Sequence, residues 1–165
     1  MVRTQMTTSE FLDRVELTDV PRAFMAAQWL HAQQTRKQEK ADSENVAVPY
    51  LTHLIDVLGL MLQGGATPAQ QVAGLLHDAL EDQPCTPDGH PTIDFIRDAF
   101  GDEVLAMVEN CSDVIPVCGQ PKGEKGPWPE RKKAHIRHID AQATQNADFL
   151  LITLCDKRSE EHTSE

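Results

Sequence analysis

The chain has 165 residues, is 40% hydrophobic and carries a formal net charge of −11. That length suggests one domain with enough apolar content for a packed core. The acidic balance argues against wrapping nucleic acid or lying on an anionic membrane, but not against an anionic substrate, because a bound metal and a few cations can dominate one cleft.

In chain order, residues 10–17 suit a short helix capped by Thr8 or Ser9. A longer helix fits 20–38, with Pro21 in its first turn and Ala23, Met25, Ala26, Ala27, Trp29 and Leu30 as its apolar positions. The polar run KQEKADSENVAVP breaks it, and helix formers resume from Pro49 to Leu62 until QGGATP ends them. Thr67 and Pro68 make an N-cap and first-turn pair for a helix over 68–82. A turn-rich loop, QPCTPDGHPT, precedes two short helices over 92–99 and 102–111, split at Gly101. Ser112 to Pro129 is rich in Gly, Pro and Lys; so long a connection is either a lid or binding loop, or disorder. A charged helix over 129–144 and a last helix containing FLLITLCD, capped around Asn146, Ala147 and Asp148, complete an all-α chain without repeats.

None of Cys85, Cys111, Cys118 and Cys155 pairs as CxxC, so neither a zinc knuckle nor a thioredoxin motif is readable. The N-terminal MVRTQMTTSEFLDRV lacks the apolar stretch of a signal peptide. No run approaches the roughly 20 apolar residues of a membrane span. The default is a cytoplasmic enzyme with reduced thiols.

The polar tail RSEEHTSE, residues 158–165, follows an apolar run abruptly. It is either a frayed terminus or foreign: the same residues come from translating AGATCGGAAGAGCACACGTCTGAA, the start of a common sequencing adapter. The expectation is that the natural fragment stops near Lys157, that His162 and the tail glutamates carry no function, and that the domain is truncated at its C-terminal end.

The stretch GLLHDALED, residues 74–82, holds His77, Asp78, Glu81 and Asp82. At about 100° per residue, with His77 at zero, Glu81 falls near 40°, Asp78 near 100° and Asp82 near 140°. Leu75, Leu76, Ala79 and Leu80 occupy the opposite arc. An ordinary amphipathic surface helix shows the same separation, so periodicity alone does not decide. His53, in PYLTHLIDVLGLML, sits at the edge of an apolar face, where a histidine is more often a satisfied core residue than a ligand. Asp156 ends an apolar run; it is either a helix-end aspartate in water or a buried carboxylate, which needs a partner or a metal. Two imidazoles and two carboxylates would make a nitrogen and oxygen site suited to manganese, iron or zinc.

These residues together resemble the HD-domain metal-dependent phosphohydrolases, most closely the RelA/SpoT-type hydrolase domains and small alarmone hydrolases. The resemblance rests on LHAQQTRK with His31, Arg36 and Lys37, on Tyr50 and His53, on the HDxxED run, on Phe100 and Gly101, on CSD, on ERKKAHIRHI and on Asp156 with Lys157. It covers about residues 22–157. The chain departs from the pattern in a longer polar segment between Lys37 and Pro49, in Leu54 where a proline usually follows the histidine, and in the tail that replaces a helix bearing an asparagine and an arginine.

The resemblance implies a single helical bundle in which His53, His77, Asp78 and Asp156 hold one divalent metal, with manganese favoured. Glu81 and Asp82 would face the water that the metal activates. The implied reaction is removal of the 3′-pyrophosphate from (p)ppGpp, with Arg36, Lys37, Arg131 and Lys132 on the phosphates. For Lys132 and Lys133 the plainer reading is a solvated charged face. The alternatives are an HD nucleotidase acting on other nucleotides, a non-catalytic nucleotide- or metal-binding helical module, and a plain bundle with a wet polar arc. A small nucleotide is the expected partner, with no nucleic acid and no membrane.

Overall fold

The computed structural model describes residue 7 and residues 19–36, 47–121, 126–143 and 147–161. The helices expected at 10–17 and the end of the one expected at 20–38 fall outside those residues, wholly or in part. The described helices are α1 (Asp19–Leu30), α2 (Leu51–Gln63), α3 (Pro68–Leu76), the single turn α4 (Ala79–Asp82), α5 (Thr92–Cys111), α6 (Trp128–Ala143) and α7 (Leu150–Glu161). Only isolated bridges occur besides helices among the described residues, so the all-α expectation holds.

α3 is the hub, packed on α1, α2, α5 and α7. Its residues Val72, Ala73, Gly74, Leu75 and Leu76 are buried in succession, which no one-sided helix could show. It starts as the sequence predicts: the Gln70 backbone N–H donates to Thr67 Oγ1 at 3.2 Å, and the Thr67 N–H donates back to Gln70 Oε1 at 2.9 Å. Such a reciprocal cap satisfies two otherwise orphaned donors.

The helix expected over 68–82 is broken. His77 and Asp78 form a turn between α3 and α4, and Asp78 has φ −94° and ψ −3°, in the bridge region between helix and extended backbone. A single wheel over 74–82 therefore misplaces His77, which is 3% exposed rather than on a wet arc. The break at Gly101 is as expected; its φ of 86° is open to glycine and strained for other residues.

Two features of the loops were not legible. Thr35 pairs with Pro49, the Arg36 N–H donates to Val48 O and the Tyr50 N–H donates to Gln34 O, each at 2.9 Å. This zips the chain on either side of 37–46 and fixes Gln34 beside Tyr50. Cys85 and Cys118 form a disulfide across 33 positions of sequence, which corrects the expectation of four reduced thiols. Connectivity over such a span depends on tertiary placement rather than on spacing. Cys111 and Cys155 remain thiols.

Candidate metal centre

Three chain segments converge on one point. α2 brings His53 from the interior, where it is 4% exposed. The α3–α4 turn brings His77 and Asp78, and α7 brings Asp156, whose side chain is 14% exposed. The two imidazole rings meet edge-on with centroids 5.4 Å apart. His53 Nε2 lies 3.2 Å from Asp156 Oδ1 and 3.7 Å from Asp78 Oδ2. His77 Nε2 lies 2.9 Å from Asp78 Oδ2 and 3.6 Å from Asp156 Oδ1. Donor atoms of His53, His77 and Asp156 all fall within 4.8 Å of one another, the span of one coordination shell.

The far ring atoms are committed elsewhere. His77 Nδ1 is 2.8 Å from the Gly74 carbonyl, which can only accept, so Nδ1 carries the hydrogen. His77 Nε2 is buried and without a hydrogen-bond partner, although two carboxylates stand beside it. His53 Nδ1 is 3.2 Å from the Ser159 hydroxyl. The Tyr50 hydroxyl donates to Asp78 Oδ2, fixing the carboxylate from the opposite side.

The electrostatics follow from this crowding. Burial alone would depress the His77 imidazole, but the Asp78 and Asp156 carboxylates outweigh it and hold its pKa well above the ordinary 6.5. His53 is raised in the same way, against its burial, by Asp156 and Asp78. Burial would raise Asp78, yet His77, His53 and the Tyr50 hydroxyl hold it well below the usual carboxylate range. Asp156 is likewise lowered, by His53, His77 and Lys157, whose Nζ donates to Asp156 Oδ2 at 2.8 Å. Burial and Asp78 push the Tyr50 phenol upward, so it stays a donor.

Glu81 and Asp82 lie on α4, one turn beyond His77 and Asp78. The Asp113 backbone N–H reaches Glu81 Oε2 at 3.4 Å. Asp113 also meets His135 Nδ1 at 2.5 Å and Arg131 at 3.9 Å, so it joins α6 to the acidic turn. Arg131 is therefore engaged with Asp113 and, through Nε, with the Gly126 carbonyl at 3.1 Å. Lys132 is half-buried on the same helix, near enough for its charge to disfavour a protonated His135. Arg36 is half-buried at the zipped loop, and Lys37 lies outside the described residues. Asp82 Oδ2 accepts from Gln34 Nε2 at 2.6 Å. Gln34, His135 and Ser159 play no part in the sequence reading; a polar residue three places after His31 was the one available sign of the first.

A profile of the HD domain matches residues 23–159. The chain belongs to the HD-domain family. It is 38% identical over 88 residues to a Synechocystis protein named as a probable guanosine-3′,5′-bis(diphosphate) 3′-pyrophosphohydrolase, matching 53% of this chain and 10% of that one. It is 34% identical over 100 residues to a probable GTP pyrophosphokinase of Mycobacterium leprae, matching 61% of this chain and 11% of that one. The HD-domain chain thus spans about a tenth of the length of these two relatives. The solved structure of a metazoan ortholog of SpoT superposes with a TM-score of 0.64 at 24% identity, covering 88% of this chain and 70% of that one. At that identity the likeness shows the fold.

An HD domain implies a divalent metal, and the donors here fit one. The His77 and His53 Nε2 atoms and the two lowered carboxylates face one another across a few ångströms. Such a cluster is stable only with a cation or a proton inside it.

Proposed function

We propose that this chain is a divalent-metal-dependent phosphohydrolase that removes the 3′-pyrophosphate from (p)ppGpp. The observation that carries the reading is the convergence of the buried His77 and His53 Nε2 atoms on the Asp78 and Asp156 carboxylates, where His77 Nε2 makes no aligned hydrogen bond. We assign His53, His77, Asp78 and Asp156 as the metal ligands, manganese as the metal, and iron or zinc as compatible with the same donors. A divalent metal bound there would make a water acidic and draw charge from a phosphoryl oxygen.

The chain's own residues do the rest. Glu81 and Asp82 orient the attacking water and take its proton. Arg36, Lys37, Arg131 and Lys132 are assigned to the substrate's phosphates; Arg36 is favoured, since a planar guanidinium clamps a phosphate or stacks on a base. Arg131 would have to divide itself between a phosphate and Asp113. Tyr50 keeps Asp78 aimed at the imidazoles.

The Synechocystis relative is named for this reaction, and the metazoan SpoT ortholog is described as hydrolysing ppGpp. Other relatives are named GTP pyrophosphokinase, but a match over 11% or 14% of a protein does not attach its named reaction to the matched stretch. A cytoplasmic setting and a small-nucleotide partner are part of the same proposal; among the described residues no helix is long and apolar enough to cross a membrane. That residues 158–165 derive from an adapter also stands as a proposal, and native codons continuing through Arg158 in the source genome would end it.

The test is a substrate panel with Mn²⁺: (p)ppGpp against nucleoside monophosphates and diphosphates, with phosphate and pyrophosphate release as readout. Pyrophosphate from (p)ppGpp alone is expected. Release from monophosphates instead would identify a nucleotidase, and metal uptake without any release would identify a binding module. His77→Ala and Asp78→Ala should abolish metal uptake and turnover together, whereas Glu81→Ala should keep the metal and lower turnover about 100-fold or more. Metal retained by both His77→Ala and Asp78→Ala would overturn the ligand assignment.

A further inference from the structure

The acidic turn α4 is held from a side that neither the metal ligands nor the phosphate cations explain. Gln34 sits in the zipped loop with its backbone fixed at both polar atoms: its N–H donates to His31 O at 2.9 Å, and its C=O accepts from Tyr50 N at 2.9 Å. Its side chain is fixed as well. Oε1 accepts from Gln83 Nε2 at 2.8 Å and lies 2.8 Å from His31 Nδ1, while Nε2 donates to Asp82 Oδ2 at 2.6 Å.

This arrangement has one consistent hydrogen pattern. With Oε1 accepting, His31 Nδ1 must carry a hydrogen, so a neutral His31 is the Nδ1–H tautomer. The His31 ring is stacked on Tyr50, with centroids 5.1 Å apart and 29° between planes, and is 3% exposed, so it cannot swing away. Gln83 follows Asp82 directly and ends α4, its N–H bonded to Ala79 O. The amide of Gln34 is thus oriented by two donors on its oxygen. That orientation turns its NH₂ group toward Asp82, where one hydrogen is donated to a carboxylate oxygen. The other end of the same unit, Tyr50, grips Asp78.

We propose that Gln34 is a positioning residue for Asp82, an amide clamp pre-oriented by His31 and Gln83 that sets the rotation of the Asp82 carboxylate at the reacting water. The proposal rests on the reading of Asp82 as a group that acts on that water. It requires no contact between Gln34 and substrate or metal. It also gives the loop zipper a purpose: Thr35 and Pro49 pair so that Gln34 and Tyr50 reach the two carboxylates from one rigid edge. A displacement of about 1 Å in a reacting group can cost about 100-fold in rate, so losing the clamp should appear in kcat.

A double-mutant cycle with an independent spectroscopic arm tests this. Gln34→Glu keeps an oxygen for His31 and Gln83 but turns a second carboxylate toward Asp82; Gln34→Asn, a shorter amide, is the gentler variant. With Mn²⁺ and (p)ppGpp, Gln34→Glu should lower kcat about 10- to 100-fold, with KM within about twofold and metal content unchanged. In an Asp82→Ala background it should lower kcat no further, because it acts only through Asp82. A merely structural role would lower Tm and reduce activity equally in both backgrounds, and that additivity would overturn the proposal. The second arm needs no activity. In the side-chain amide NMR spectrum of the metal-free chain, Asp82→Ala should shift the Gln34 NH₂ signals and make them exchange faster with solvent. Unmoved Gln34 signals would overturn the clamp even if turnover fell. A parent protein that hydrolyses nothing would sink the proposed function, and this arm would still decide whether Gln34 holds Asp82.

Discussion

His77 shows how far a single residue can be read from sequence. Its type and its neighbour Asp78 were legible, and so were His53 and Asp156 as partners of the right chemistry. Its burial was not, because a wheel over 74–82 assumes a helix that the backbone abandons at Asp78. Gln34 and Asp113 were illegible for another reason: they matter through partners 48 and 32 positions away, the Gln34 side chain donating to Asp82 and the Asp113 backbone N–H donating to Glu81. The titration of the cluster gives a prediction. In the metal-free chain the His77 pKa lies well above 6.5, so the stability it contributes is complete below that value and is lost as pH rises through the raised pKa. Asp78 and Asp156 are lowered, so their contribution is complete above about pH 4 and is lost as pH falls further. A divalent metal replaces the His77 proton and must expel it to bind. The Tm of metal-free protein should therefore decline on the alkaline side, and Mn²⁺ should raise Tm more at about pH 8 than at about pH 6. Melting curves over a pH series check this; an equal metal effect at both ends would contradict it.

At the scale of elements, capping and breaking signals were the most legible. Thr67 with Pro68 started a helix where expected, and Gly101 split α5 where expected. What failed was the single helix expected over 68–82, since His77 and Asp78 turn the chain out of α3. The close approach of α3 to α2 depends on Gly74, where an added Cβ would meet Met61 Sδ at 2.2 Å and Cε at 2.9 Å. The same glycine supplies the carbonyl that fixes His77 Nδ1. Two effects compete in Gly74→Ala. Helix propensity favours alanine by about 0.5–1 kcal/mol, and overpacking costs about 1–3 kcal/mol. Met61 is fully buried, so its sulfur has little room to yield. Overpacking should win, lowering Tm by roughly 2–8 °C for a chain of this size. Because α2 carries His53 and α3 leads directly into His77, metal affinity should fall with it. A Tm equal to or above the parent's would show that Met61 repacks without strain.

For the molecule as a whole, the fold class and the order of elements were legible, while the crosslink that braces them was not. The Cys85–Cys118 disulfide spans 33 positions of sequence and brackets all of α5. Closing a loop of that length removes unfolded-state freedom worth about 3–4 kcal/mol. The two loops it joins are also the ones that brace the acidic turn: Gln83 precedes Cys85 by two residues, and Asp113 precedes Cys118 by five. Reduction should therefore act in two ways. It should lower Tm by about 6–16 °C, from the crosslink's contribution and the sensitivity of a chain this long. It should also lower turnover more than metal uptake, because the ligands sit on α2, the α3–α4 turn and α7, away from the crosslink. Thiol titration of unfolded protein fixes the starting state: two free thiols before treatment with a dithiol and four after. A Cys85→Ser, Cys118→Ser double variant should melt like the reduced parent and be indifferent to the dithiol. That variant separates the crosslink from Cys111 and Cys155, which stay thiols throughout; Cys111 is pushed up to about 11 by burial and reacts slowly at neutral pH. A dithiol effect that persisted in the double variant would assign the change to those thiols, and the disulfide would then not be the brace of this fold.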